Sequence, residues 1–174
     1  MNWLVHLLIV IEIYLVLAVA LNVALGYTGL IFLCTAAFFG IGAYGSAIAV
    51  SRMGLPLELA FLTSVILCAV LGAVLALPLR KMVGDAVALG TLAFQLVCEE
   101  VMRNWGSLTA GPIGLRAIPR THVFGLSLES NGAYAIFATL AAAGCIGFTQ
   151  LVTGSPFGRL LRAVRDERSA AEAL

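Results

Sequence analysis

The sequence predicts an all-α fold, a polytopic transmembrane helical bundle of about five spans with a cytoplasmic amphipathic C-terminal helix. Three observations predict it. Of 174 residues, 61% are hydrophobic and only 11% charged, and the mean hydropathy is +1.06. A soluble domain uses roughly 25% charged residues because its surface faces water, so this chain has too few to cover one. Five apolar runs reach the length of about 20 residues that crosses a hydrocarbon layer about 30 Å thick at about 1.5 Å per residue. Between the runs lie Gly, Pro and basic residues, which end helices and favour the membrane surface.

The first run covers residues 4–25. It has no basic leader, exceeds a signal-peptide core in length and carries Glu12, so it reads as a membrane helix. An ionisable group inside a span costs several kcal/mol unless it is paired or faces a cavity. Glu12 is therefore either a substrate or proton contact or a group hydrogen-bonded within the bundle. Gly26-Tyr27-Thr28-Gly29 separates this run tightly from the second, 29–50, which has no charge. The second run contains Gly40-Ile41-Gly42-Ala43-Tyr44-Gly45, letter for letter a dinucleotide fingerprint. That fingerprint needs a preceding strand and a following helix, and here it lies inside a span. Its small residues instead suit close helix packing in lipid, with Ala36, Gly40, Gly42 and Ser46 as the packing face.

A turn at 51–56 precedes the third run, 58–79, and Arg80-Lys81-Met82-Val83-Gly84 follows it. The fourth run, 85–103, ends with Glu99, Glu100 and Arg103. Glu99 and Arg103 are four apart and share a helix face, either as a structural pair or with Glu99 free to meet a substrate amino group. Residues 104–130 form a long polar connection containing Thr109-Ala110-Gly111-Pro112-Ile113-Gly114-Leu115. Irregular glycine-rich backbone of this kind exposes N–H and C=O groups to a ligand where it lines a cavity; an ordinary turn is the other reading. The fifth run, 131–152, is free of charge.

The tail begins at Thr153. Ser155 is suited to cap a helix and Pro156 to its first position. Arg159, Arg162 and Arg165–Asp166 recur at helical spacing against Leu160, Leu161 and Val164, an amphipathic pattern that fits lipid headgroups or a partner's groove. With five spans, Arg80, Lys81 and the four tail arginines share one side, six basic residues against four, which makes that side cytoplasmic. Net charge is +1, so no global field points to nucleic acid. Cys34, Cys68, Cys98 and Cys145 sit singly in apolar runs and His6 and His122 lie far apart, so no metal site is expected. No nucleophile–base pair or metal-ligand spacing points to an enzyme.

The blocks ALNVALGYTGLI at 20–31, AAFFGIGAYGSA at 36–47, GDAVALGTLAFQ at 84–95, TAGPIGL at 109–115 and the tail SPFGRLLRAVRDERSAAEAL occur in one order along the chain. In these blocks the chain resembles the permease subunits of branched-chain amino acid ABC transporters. The resemblance implies half of a translocation pathway in the bacterial inner membrane. It also implies a second permease subunit alongside, two cytoplasmic ATP-binding cassette subunits and a periplasmic substrate-binding protein. It implies further that Gly158, Arg159, Arg162, Ala163, Arg165, Asp166, Ala170, Ala171 and Glu172 form the ATPase-coupling element, where arginine pairs bidentately with carboxylates. No G-x-x-x-x-G-K-[ST] motif occurs, so the chain is expected to hold no cofactor and ATP is used by the partners. Thr28, Thr35, Glu99, Gly111 and Gly114 are the candidate pathway residues.

Two departures stand out. Cys34 and Thr35 replace a Gly followed by His or Gln, and Ala110 and Ile113 stand where the family favours Gly and Asn. Relatives of this kind run on past the tail into more spans. Residues 1–152 are accordingly expected to be an incomplete permease domain and 153–174 the coupling segment, and this polypeptide alone is expected not to transport. Leucine-like amino acids lead as substrate, with urea and short amides behind. The alternatives are a short membrane interaction or scaffold protein whose basic tail binds lipid or a partner, and a non-functional permease fragment.

Overall fold

The computed structural model describes residues 3–82, 84–115, 122–123, 126–127 and 131–166. Helix α1 runs Trp3–Asn22 and continues as a π-helical segment, Val23–Tyr27. Its Leu-, Ile- and Val-rich sequence sustains the helix as far as Tyr27. There the hydroxyl of Thr28 donates to the Ala24 carbonyl and Gly29 turns left-handed at φ 68°. That local capture ends the helix and delays the next one: α2 spans Thr35–Met53, six residues later than the apolar run suggested. It also runs further, through Arg52, until Gly54 at φ 64° closes it with Leu55 N–H on the Ala49 carbonyl at 3.2 Å. A left-handed glycine is a common helix end because it carries no Cβ. Helix α3 spans Leu57–Leu79 and α4 spans Asp85–Asn104.

The connection expected to be irregular holds a one-turn helix α5 (Gly106–Thr109) and a 3-10 turn (Gly111–Ile113). Beyond them, two-residue strands β1 (His122–Val123) and β2 (Leu126–Ser127) pair antiparallel, His122 opposite Ser127. Apart from this two-residue pairing the described elements are helical, as an all-α fold requires. Helix α6 covers Asn131–Gly154 and α7 covers Pro156–Asp166.

By length and composition, three helices among the described residues can cross a membrane: Trp3–Tyr27, Leu57–Leu79 and Gly132–Gly154. Three of the five expected spans are matched in this way, and α2 and α4 correspond to the other two. The late start of α2 leaves Leu30, Ile31, Phe32 and Leu33 outside the helix and brings Arg52 in, while α4 carries Glu99, Glu100 and Arg103. Both have the length of a span and are less apolar than the other three helices.

The described residues fall into two compact units, one of the chain up to Phe32 with α6 and α7, the other from Leu33 through the hairpin. In the first, α1 packs along α6 and α7 turns back to the π-helical segment. No residue of α1 is buried, and Leu4, Leu140 and Leu151 are 70%, 67% and 76% exposed. Faces this apolar are stable in lipid or against other protein, not in water. In the second unit α2 packs on α3 and α4. Ala49, Val50 and Ala60 form a core at the α2–α3 turn with Leu55 and Leu57 against it. Cys34, Ala37 and Thr91 are also fully buried, and small residues of this kind let helix backbones approach closely where lipid supplies no hydrophobic drive. The Phe38 and Phe94 rings meet at 5.6 Å.

Candidate functional site

Helix α7 is built by its first three residues. Ser155 Oγ accepts the Gly158 N–H at 3.4 Å, capping the helix as its sequence suggests, and Pro156 fills the first position where no N–H is needed. A single residue, Ser155, separates α7 from the end of α6. The junction is so tight that a Cβ on buried Gly158 would overlap the Thr153 main-chain carbonyl.

The tail arginines divide. Arg162 donates from Nε to the Gly158 carbonyl at 3.3 Å and from Nη2 to the Thr153 carbonyl at 3.1 Å. Its guanidinium carbon lies 5.8 Å from the centre of the Tyr27 ring, within cation–π range. Arg165 Nη1 donates to the Gly26 carbonyl at 2.8 Å, and its side-chain stem lies against Gly29. Arg159, Arg162, Ala163 and Arg165 are all exposed, and Arg159 is flanked by Phe157 at 57% and Leu160 at 52% exposure. Asp166 ends the helix. Ala170, Ala171 and Glu172 lie outside the described residues.

The candidate pathway residues are dispersed. Thr28 closes the π-helical segment and accepts the Leu30 N–H at 3.3 Å. Thr35, half-buried, opens α2. Glu99 takes a 2.7 Å ion pair from Arg103, the partner that its spacing suggested, and lines an open depression of about 470 Å³ with Leu96, Val97 and Glu100. Exposed as it is, such a pair is worth about 0.3–0.5 kcal/mol in water. Gly111 is buried, with its N–H on Thr109 Oγ1 at 3.3 Å, and the Gly114 N–H meets the Gly111 carbonyl at 3.1 Å. Within the second unit Glu99, Gly111 and Gly114 belong to α4 and the loop that follows it, and Thr35 to the start of α2.

Of the four small residues expected to pack, Gly40 lies beneath the Met102 side chain and Gly42 faces Cys68. Ser46 Oγ turns back to the Gly42 and Ala43 carbonyls, 3.0 Å from each, and Ala36 is exposed. The close approaches on this helix include Ala37, fully buried, and Gly45, where a Cβ would sit 3.1 Å from Ser64 Oγ. Sequence reasoning also passed over Thr91 and Gln95. Gln95 Oε1 accepts the Ala37 N–H at 2.6 Å and Thr91 Oγ1 the Leu33 N–H at 3.1 Å, so α4 caps the start of α2. Thr91, Gln95 and Glu99 recur every four residues through an apolar helix, the signal that could have found them.

A family model described as branched-chain amino acid transport system, permease component, matches residues 3–174. The chain belongs to this permease family. It is 32% identical over 117 residues to the high-affinity branched-chain amino acid transport system permease protein LivM of Escherichia coli (strain K12). It is likewise 32% identical over 119 residues to LivM of Salmonella typhimurium (strain LT2). The matched stretches cover 67% and 68% of this chain and 28% of each relative's length. No solved structure matches the chain. Membership agrees with apolar, lipid-compatible helices: this is a multi-pass membrane protein of a transport family. Ala110 holds a left-handed backbone at φ 62°, a conformation that costs a residue with a Cβ about 1–2 kcal/mol.

Proposed function

We propose that this chain acts as a permease subunit of an ATP-driven importer of branched-chain amino acids in the bacterial inner membrane. In this reading α7 is the cytoplasmic element on which an ATP-binding cassette subunit docks. The observation that carries the reading is the construction of α7. It is capped by Ser155, locked to α6 by Gly158 and tied to its own chain by Arg162 and Arg165, while Phe157, Arg159 and Leu160 stay exposed. A short rigid helix that offers an arginine between two apolar side chains is suited to a partner surface with carboxylates around an apolar notch.

In this reading α2 and α4 join the three apolar helices as fourth and fifth spans, shielded by a second permease subunit, and the tail faces the cytoplasm. A periplasmic binding protein delivers the substrate, and Thr28, Thr35, Glu99, Gly111 and Gly114 contribute to its path. ATP is bound by the partners. Similarity to two branched-chain amino acid permeases supports the substrate class.

The test is leucine uptake and ATP hydrolysis by the assembled transporter in proteoliposomes, with Arg159→Glu in the permease. Uptake should collapse while hydrolysis persists uncoupled and membrane insertion is normal. Unchanged uptake would remove Arg159 from the docking surface.

A further inference from the structure

We infer that Arg162 and Arg165 are positioning residues rather than partner contacts: they seat α7 on the π-helical end of α1, and the stretch Gly26–Gly29 is the seat. Resemblance alone places both arginines in the ATPase-coupling set. The geometry shows both bonded to main-chain carbonyls of their own chain, their side chains still exposed.

Three independent contacts make the seat. Gly26 lies in the last helical turn, where carbonyls have no N–H ahead of them, and Arg165 supplies one from 2.8 Å. A guanidinium there gives a charge-assisted bond at the negative end of the helix dipole. Gly29 is the second contact. Its backbone is left-handed at φ 68°, and any Cβ there would come within 2.5 Å of Arg165 Cγ, so this position is kept bare of a side chain where the arginine stem passes. The third is the Tyr27 ring beneath Arg162, whose other face of contact is the Thr153 and Gly158 carbonyls. Arg162 thus touches α6, α7 and the end of α1 at once.

The two sequence blocks LGYTGLI and SPFGRLLRAVRD, more than a hundred positions apart, therefore meet as one device. Thr28 sits inside the seat, two residues from the carbonyl that Arg165 holds. Tilting α7 loads the Gly26 carbonyl and the Tyr27 ring directly, so motion of the tail reaches the end of α1 through rigid contacts. The relay to Thr28 as a pathway residue rests on the proposed permease function; the seat itself does not.

The seat is tested by amide hydrogen exchange on the whole chain in lipid nanodiscs, which needs no transport. Arg165→Gln should speed exchange about tenfold in both 156–166 and 23–29, the scale of one lost hydrogen bond to a charged group. Arg159→Gln should leave both segments unchanged, and Arg165→Lys, which keeps a stem and a donor, should restore most of the protection. Gly29→Asn tolerates the left-handed backbone but adds a Cβ. It should speed exchange in the same two segments, and combining it with Arg165→Gln should add little. Equal effects of Arg165→Gln and Arg159→Gln on residues 23–29, or a change confined to 156–166, would overturn the inference. If the seat behaves as described but Arg159→Glu leaves uptake intact, the permease docking surface fails alone.

Discussion

Thr139 Oγ1 on α6 donates a 2.6 Å hydrogen bond to Glu12 Oε1 on α1, joining residues 127 positions apart in the middle of two apolar helices. Of the two readings open to Glu12 from sequence, this contact favours the one in which it is hydrogen-bonded within the bundle. The same hydroxyl oxygen lies 2.9 Å from the Ala135 carbonyl, so two acceptors share one hydrogen. Glu12 Oε2 is occluded and has no partner among the described residues. A carboxyl in this setting is costly to leave unmatched and cheap to replace together with its partner. Thr139→Val is therefore expected to destabilise the α1–α6 pair by about 1–3 kcal/mol. The double substitution Glu12→Met with Thr139→Val should recover most of the loss. Thermal melts of the three variants in one detergent check this, and a double variant no better than the single would refute it.

A second expectation concerns a glycine whose replacement runs against the usual sign. In a helix interior Gly→Ala stabilises by about 0.5–1 kcal/mol, because alanine loses less conformational freedom on folding. Gly158 should do the opposite, since the new methyl would overlap the Thr153 carbonyl at the α6–α7 junction, and backbone cannot step aside as a side-chain end can. Gly158→Ala is expected to cost about 1–3 kcal/mol, the range for overpacking. It should also raise exchange across 156–166. A melting temperature at or above that of the native chain would show that the junction is looser than described.

How much of this was legible beforehand depends on the range of the interaction. The start of α7 could be read because Ser155 and Pro156 act on their immediate neighbours. So could the Glu99–Arg103 pair, one helical turn apart. The start of α2 could not, because hydropathy continues unbroken through residues 29–34 while the backbone is taken over by Gly29 and the Thr28 hydroxyl. Periodicity grouped the tail arginines together, but it cannot say which of them faces the chain's own carbonyls. That needs Gly26 and Tyr27, which lie far away in sequence. The polar residues of α4 were visible as letters, yet their work as a cap for another helix belongs to tertiary structure.

Ala110 offers a stabilising substitution. It is the only non-glycine residue with positive φ among those described, followed directly by Gly111, also left-handed. Relief of about 1–2 kcal/mol of left-handed strain outweighs the about 0.5–1 kcal/mol of extra freedom that glycine gives the unfolded chain. Ala110→Gly should therefore raise the melting temperature slightly, and Ala110→Val should lower it clearly. The opposite order would place the strain elsewhere.

The last expectation tests the cap that α4 places on α2. The first N–H groups of any helix lack internal partners, and a buried one has no water to take a partner's place. Here the Ala37 N–H is met by Gln95 Oε1 at 2.6 Å, and Ala37 is fully buried. Gln95→Leu keeps roughly the same volume and removes the acceptor, so the N–H is left unpaired at a cost of about 1–3 kcal/mol. Gln95→Glu keeps an acceptor and sets a negative charge at the positive end of the helix dipole, which offsets part of the change. Exchange at residues 35–40 should accelerate in Gln95→Leu and stay near native in Gln95→Glu. Thr91→Val should act one turn earlier, at Leu33, whose N–H is held by the Thr91 hydroxyl at 3.1 Å. If Gln95→Leu leaves the first turn of α2 as protected as before, that turn is held by its own helix and not by α4.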